Sequence, residues 1–239
     1  MTLSDLSPSL GFSPPELTAI VLSLKVAGVA TAASLPVAVF IAYALARWRF
    51  PGHAALNAII HLPLVMPPVV TGFALLLLLG RKAPLGAFLA DHFGVVFAFR
   101  WTGAALAAAV MSFPLMIRPI RLSFESIDER LGLAARSLGA NRIWTFFLVT
   151  LPLAAPGVIV GTILGFAKAL GEFGATITFV SNIPGETRTI PSAIYSLTQT
   201  PDGDADALRL AAVSAAIAIA ALIVSEILQK RADATRAGR

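Results

Sequence analysis

The sequence predicts an all-α integral membrane protein: a helical bundle of about five transmembrane helices with one polar loop projecting from it. Three observations predict this class. Of 239 residues, 57% are hydrophobic and only 13% are charged, where soluble domains carry roughly 25% charged residues. The apolar residues gather into long runs, several reaching the roughly 20 residues needed to cross a bilayer. The basic residues fall between those runs, so the net charge of +5 reads as orientation in a membrane and not as a nucleic-acid surface.

The whole chain reads as one transmembrane domain. Its first span covers about residues 17–46, with Lys25 in the outer part, where it can snorkel to the headgroups. Asp5 is the one charged side chain before residue 16, and no basic n-region precedes the apolar run. A cleaved signal peptide is therefore not expected, and the run stays as an anchor. Arg47-Trp48-Arg49 closes the span as a basic, aromatic boundary.

The second span, about 58–80, is interrupted by Pro63, Pro67 and Pro68. Pro67 and Pro68 together remove two backbone donors and predict a kink. Within a membrane, such a break is tolerated where protein or a water-filled cavity satisfies the backbone. A mixed loop leads to a third span, about 101–120. The fourth, about 156–179, carries Lys168 and Glu172; a polar loop and a fifth span, about 208–228, follow. A sixth span, from the apolar segment near Val95 or from residues 143–151, would change the count.

Five spans put the termini on opposite sides. The segment at Arg47–Arg49, the arginines between Arg118 and Arg142, and the basic tail all fall on one side. The positive-inside rule makes that side cytoplasmic, with the N-terminus outside and the C-terminus inside.

The polar loop, residues 126–152, has its own order. Ser126-Ile127-Asp128-Glu129 fits a capping box. Leu131, Ala134, Ala135 and Leu138 then recur at helical spacing. Gly139 is a helix stop and Asn141 a fresh cap. A second short helix is expected to run to Leu151 and end at Pro152. Two short helices about a bend make a knob that stands out from the spans.

Lys168 and Glu172 lie four residues apart, so they share a helix face and can pair. An unpaired charge at that depth costs about 2.5–3.5 kcal/mol on insertion scales. The pair reads either as part of a translocation path or as a structural pair that fixes helix contacts. Gly161-x-x-x-Gly165 in the same span allows close helix approach.

The chain has no Gly-x-x-x-x-Gly-Lys-Ser/Thr loop and no Gly-x-Ser-x-Gly. It is not expected to be an enzyme or to hold a cofactor or metal, and its energy must come from a partner or a gradient. The histidines are His53, His61 and His92, and His53 and His61, eight apart near a membrane surface, read as interfacial or packing residues. With no cysteine there is neither a disulfide nor a thiolate metal site. A gradient-driven secondary transporter would show paired interrupted helices, and the Pro67-Pro68 break has no evident counterpart in the sequence.

Leu133-Ala134-Ala135, with Gly139 four places on and Val149-Thr150-Leu151-Pro152 after it, resembles the cytoplasmic Glu-Ala-Ala loop of ABC importer permeases. Leu133 replaces the family's Glu. The resemblance implies an ABC importer type I permease-like fold. It also implies that Leu133, Ala134, Ala135, Arg136, Leu138 and Gly139 form a coupling helix against a separate ATP-hydrolysing subunit. Three further segments are similar to the molybdate permeases of that family: Pro63 to Phe73, Leu170-Gly171-Glu172-Phe173-Gly174-Ala175-Thr176, and Asn182 to Pro191. Tungstate and sulfate/thiosulfate permeases are similar too.

The likeness implies a bacterial inner-membrane homodimer that works with two ATPase subunits and an extracytoplasmic oxyanion-binding protein. ATP would be bound by the partner, lipid would surround the spans, and no nucleic acid would be involved. Thr71, Lys168, Glu172, Thr176 and Thr178 are the candidate lining or gating residues of an oxyanion path.

Overall fold

The computed structural model describes residues 11–237, and every regular element among them is helical. Helix α1 (Pro14–Arg47) starts sharply. Pro14 and Pro15 occupy the first turn, where a missing N–H costs nothing. The Glu16 carboxylate accepts from the Ser13 amide at 2.6 Å. The capping box of this chain thus lies at residues 13–16, ahead of the first span.

Helices α2 (His53–Val65) and α3 (Pro68–Leu79) follow, bent by 115° at Met66 and Pro67. Short α4 (Pro84–Phe93) leads to α5 (Trp101–Glu125). The knob comprises α6 (Glu129–Ser137) and α7 (Arg142–Thr145), followed by one π-helical turn, Phe146–Thr150. Then come α8 (Leu151–Leu170), α9 (Gly174–Val180), α10 (Ile190–Leu197) and α11 (Asp204–Ala237). Among the described residues four helices are long and apolar enough to cross a membrane, or five when the bent α2–α3 pair is counted as one broken span.

Three sequence expectations are corrected here. Ser126 does not start the knob: it closes α5, its hydroxyl donating to the Ser123 carbonyl at 2.8 Å. Asp128 caps α6 instead, accepting from the Arg130 amide at 2.9 Å. Nor does Pro152 end a helix. The apolar stretch runs on from Arg142 to Leu170, 29 residues, so the fourth span begins well before residue 156. The π turn explains this. The Leu151 amide bonds back five residues to Phe146, a wider turn that makes room for the Pro152 ring and its missing donor. At the far end the helix stops at Leu170, and residues 171–173 break it before α9.

Helix α5 is the centre of the bundle, packed between α1 and α8. Met116, Ile117, Ile120 and Phe124 are fully buried along it. The α8 glycines Gly157, Gly161 and Gly165 all face α5. A Cβ at Gly161 would sit 2.6 Å from the Met116 carbonyl oxygen, so the two backbones meet without side chains between them. Two polar ties fix the other end of the bundle. The Ser23 hydroxyl accepts from the Ile190 amide at 2.7 Å, capping α10. Glu16 pairs with Arg209 of α11 at 3.0 Å.

Candidate functional site

Two places gather the residues singled out in the sequence. The first is a meeting of two broken helices. The α2–α3 bend at Pro67-Pro68 does have a counterpart, against the sequence expectation: the break between α8 and α9 at Gly171-Glu172-Phe173. The halves α3 and α9 pack directly on each other. A Cβ on Gly174 would lie 2.7 Å from the Pro68 Cβ, and one on Gly72 would lie 2.8 Å from the Ala175 Cα. Glycine at both positions lets these short helices touch backbone to backbone.

Glu172 lies in the break, not on the same regular helix as Lys168. The two still pair, Lys168 Nζ donating to Oε2 at 2.6 Å. The Glu172 side chain is only 1% exposed, while that of Lys168 is 30% exposed. The second carboxylate oxygen, Oε1, accepts from the Ala175 amide at 3.0 Å. One carboxylate therefore neutralises a cation at the end of α8 and caps the start of α9.

Thr176 is buried and donates to the Phe173 carbonyl at 2.8 Å. The Thr178 hydroxyl donates to Gly174 within its own helix. Thr71 is different: it is buried, and its hydroxyl has no hydrogen-bond partner among the described residues. Lys168, Glu172 and Thr176 thus share one break, and Thr71 lies on the short helix packed against it.

The second place is the knob. No residue of α6 is buried. Leu131, Leu133 and Leu138 are exposed, with Leu138 at 89%. Ala134 and Arg136 are exposed and Ala135 half-buried. Gly139 takes φ +93°, the left-handed stop that glycine allows. Asn141 then caps α7, accepting from the Trp144 amide at 2.8 Å. Ile143, Trp144, Phe147 and Leu148 add more exposed apolar surface. The apolar side chains of this stub find no cover among the described residues, the pattern of surfaces that meet a partner or a membrane.

Arg47 holds this stub in place, a role sequence reasoning missed by giving the residue to the membrane boundary. Its Nη1 donates to Glu129 at 2.8 Å. Its Nη2 donates to the carbonyls of Phe124 at 2.8 Å and Ile127 at 2.6 Å. The end of α1 thereby anchors the end of α5 and the start of α6.

This arrangement, a bundle with opposed helix breaks and an outlying apolar stub, has known relatives. Residues 34–235 match the family described as the binding-protein-dependent transport system inner membrane component. The chain belongs to this family. It is 58% identical over 225 residues to the molybdenum transport system permease protein ModB of Escherichia coli (strain K12), covering 94% of this chain and 98% of that one. It is 51% identical to ModB of Haemophilus influenzae (strain ATCC 51907 / DSM 11121 / KW20 / Rd), covering 90% and 94% respectively. A sulfate transport system permease protein, CysW of Synechococcus elongatus (strain ATCC 33912 / PCC 7942 / FACHB-805), is 36% identical over 193 residues, covering 80% and 66%. In fold the chain is similar to a bacterial ABC transporter involved in alginate import, with a TM-score of 0.73 at 19% identity over 95% of this chain and 83% of that one. As a member of this family the chain is an inner-membrane transport component.

Proposed function

We propose that this chain is the membrane-spanning subunit of an ATP-driven importer for molybdate. It works as a homodimer, bound to two ATP-hydrolysing subunits and fed by an extracytoplasmic oxyanion-binding protein. The observation that carries the reading is the 58% identity to a molybdenum transport permease across 94% of the chain. The stub supports the ATPase contact. Leu133, Ala134, Ala135, Arg136, Leu138 and Gly139 sit on an uncovered apolar projection, and Leu133 in place of a Glu makes that contact more apolar. The charge pattern supports a cytoplasmic stub, an N-terminus outside and a C-terminus inside. The protein itself is non-catalytic, and ATP belongs to the partner.

The paired breaks support an oxyanion path beside Thr71, Lys168, Glu172, Thr176 and Thr178. A dianion cannot cross hydrocarbon unaided, and broken helices bring backbone groups and a cation to membrane depth. Glu172 would repel a free anion, so it fits a latch between α8 and α9 better than a binding ligand. The similarity to a sulfate permease at 36% identity favours sulfate as the second reading.

The deciding experiment is copurification of the tagged chain, followed by ATP turnover with binding protein loaded with molybdate, tungstate or sulfate. Turnover raised most by molybdate is the expected result. Turnover raised most by sulfate would select the second reading. Transport that continues without any ATPase subunit would overturn both.

A further inference from the structure

A cavity of about 590 Å³ lies between α1 and the stub, within the size range of small-molecule sites. Its walls differ in character. Pro36, Phe40 and Trp48 from the α1 side make one wall; Phe147, Arg136 and Arg142 contribute to the other. Pro36 lies about 16 Å along the helix axis from Arg47, at 1.5 Å per residue. The space therefore begins at an Arg-Trp membrane boundary and reaches into the depth occupied by acyl chains. The Phe40 and Trp48 rings meet edge to face, 5.7 Å between centroids.

The charges lining the cavity do not cancel. Glu129 is taken by Arg47, and the Asp128 carboxylate caps α6. Arg47 itself is spent on Glu129 and two carbonyls. That leaves Arg136, whose Nε alone donates to the Gly132 carbonyl at 3.3 Å. It also leaves Arg142, whose guanidinium has no hydrogen bond or ion pair among the described residues. Two guanidinium groups are thus available on the stub wall of a space whose α1 wall is aromatic and aliphatic.

We propose that this cavity binds an anionic phospholipid, with Arg142 and Arg136 on its phosphate and the α1 wall along its acyl chain. A guanidinium fork matches two phosphate oxygens at once. A free anion would use the arginines and leave the aromatic wall bare, whereas a lipid satisfies both walls. Because α6 forms part of the enclosure, an occupied cavity sets the stance of the stub against α1. The inference rests on this geometry and not on which oxyanion is carried.

The test uses the full-length chain in detergent, in a Trp101→Phe, Trp144→Phe background that leaves Trp48 as the reporter. Bromine-bearing phosphatidylglycerol and phosphatidylcholine are compared as quenchers of Trp48. Phosphatidylglycerol is expected to reach half-quenching at a concentration lower by about fivefold per engaged arginine, the factor for a cation near an anionic surface. Arg142→Gln should lose about one such factor and Arg142→Lys should keep part of it. Equal quenching of the unsubstituted-Arg142 protein by the two lipids would overturn the proposal. So would a preference unchanged in the Arg136→Gln, Arg142→Gln pair. A preference erased by excess inorganic phosphate would mark a free-anion site instead and would equally sink the lipid assignment.

Discussion

Glu172 joins both halves of a broken helix: Oε2 lies 2.6 Å from Lys168 Nζ, while Oε1 accepts from the Ala175 amide at 3.0 Å. Gln at this position keeps an acceptor for Ala175 and loses the counter-charge. Leaving a partly buried ammonium without its partner costs at least the roughly 1–3 kcal/mol of an unsatisfied neutral group. Glu172→Gln should therefore reach the membrane at normal levels and lower molybdate uptake by about tenfold, 1.4 kcal/mol being a factor of ten. Glu172→Ala loses the cap as well and should lower the amount of chain in the membrane. Uptake per tagged chain separates the roles: normal uptake in the Gln variant would remove the latch, and lost abundance would make the pair structural.

The stub depends on Gly139 for its bend. Nothing lies within 4 Å of a Cβ built there, so the obstacle to substitution is φ +93° and not space. A side chain in this left-handed region costs roughly 1–2 kcal/mol. Gly139→Ala should weaken retention of the ATPase subunit on copurification and reduce oxyanion-stimulated ATP turnover several-fold. Gly139→Asn should do so less, since Asn tolerates that region better. Equal losses in both variants would point to a side-chain clash with the partner and away from the bend.

Arg47 and Glu129 predict unequal effects from the two ends of one ion pair. Glu129 is 77% exposed, and such pairs contribute about 0–1 kcal/mol, so Glu129→Gln should be nearly silent. Arg47→Ala also strips donors from the Phe124 and Ile127 carbonyls, where charged hydrogen bonds contribute about 1.5–3 kcal/mol each. Hydrogen exchange should speed up over residues 124–130 in the Arg47 variant and stay unchanged in the Glu129 variant.

Orientation is testable because the chain has no cysteine. A single Ser137→Cys places one thiol on exposed α6. A membrane-impermeant maleimide should label it in inside-out vesicles and leave it untouched in intact spheroplasts. The reverse pattern would turn the protein over and take the stub away from cytoplasmic ATP.

How much of this was legible in the chain depends on how local each signal is. Run length and charge position are local, so the long apolar helices and the prolines at the α2–α3 bend could be read directly. Gly139 and Asn141 could be read because backbone conformation and capping involve near neighbours. The Ser-x-x-Glu pattern shows the limit. It occurs at 13–16 and at 126–129; the first caps α1 and the second does not cap α6, because Ser126 is still bonded to the end of α5.

The break at residues 171–173 was hidden because no proline marks it, and glycines flanking an acid also read as small-residue helix contacts. The tertiary reach of Arg47 had no signature at all, since its partners lie about eighty residues away and two of them are carbonyls. The interlock of Gly72 with Ala175 was equally hidden, because close approach is a property of two segments together.

The wide turn at Phe146–Thr150 has a consequence for the azimuth of everything before it. A turn that closes over five residues holds one more than a regular turn, and each residue carries about 100° of rotation. Trp144 and Ile143 are therefore out of phase with a helical wheel drawn from Leu151. Deleting one residue inside that turn would leave the Gly157–Gly161–Gly165 seam seated on α5 and the start of α6 tied to Arg47, while α7 would rotate against both. The compass bearing of α7 against the long helix behind it is thus set by a single surplus residue.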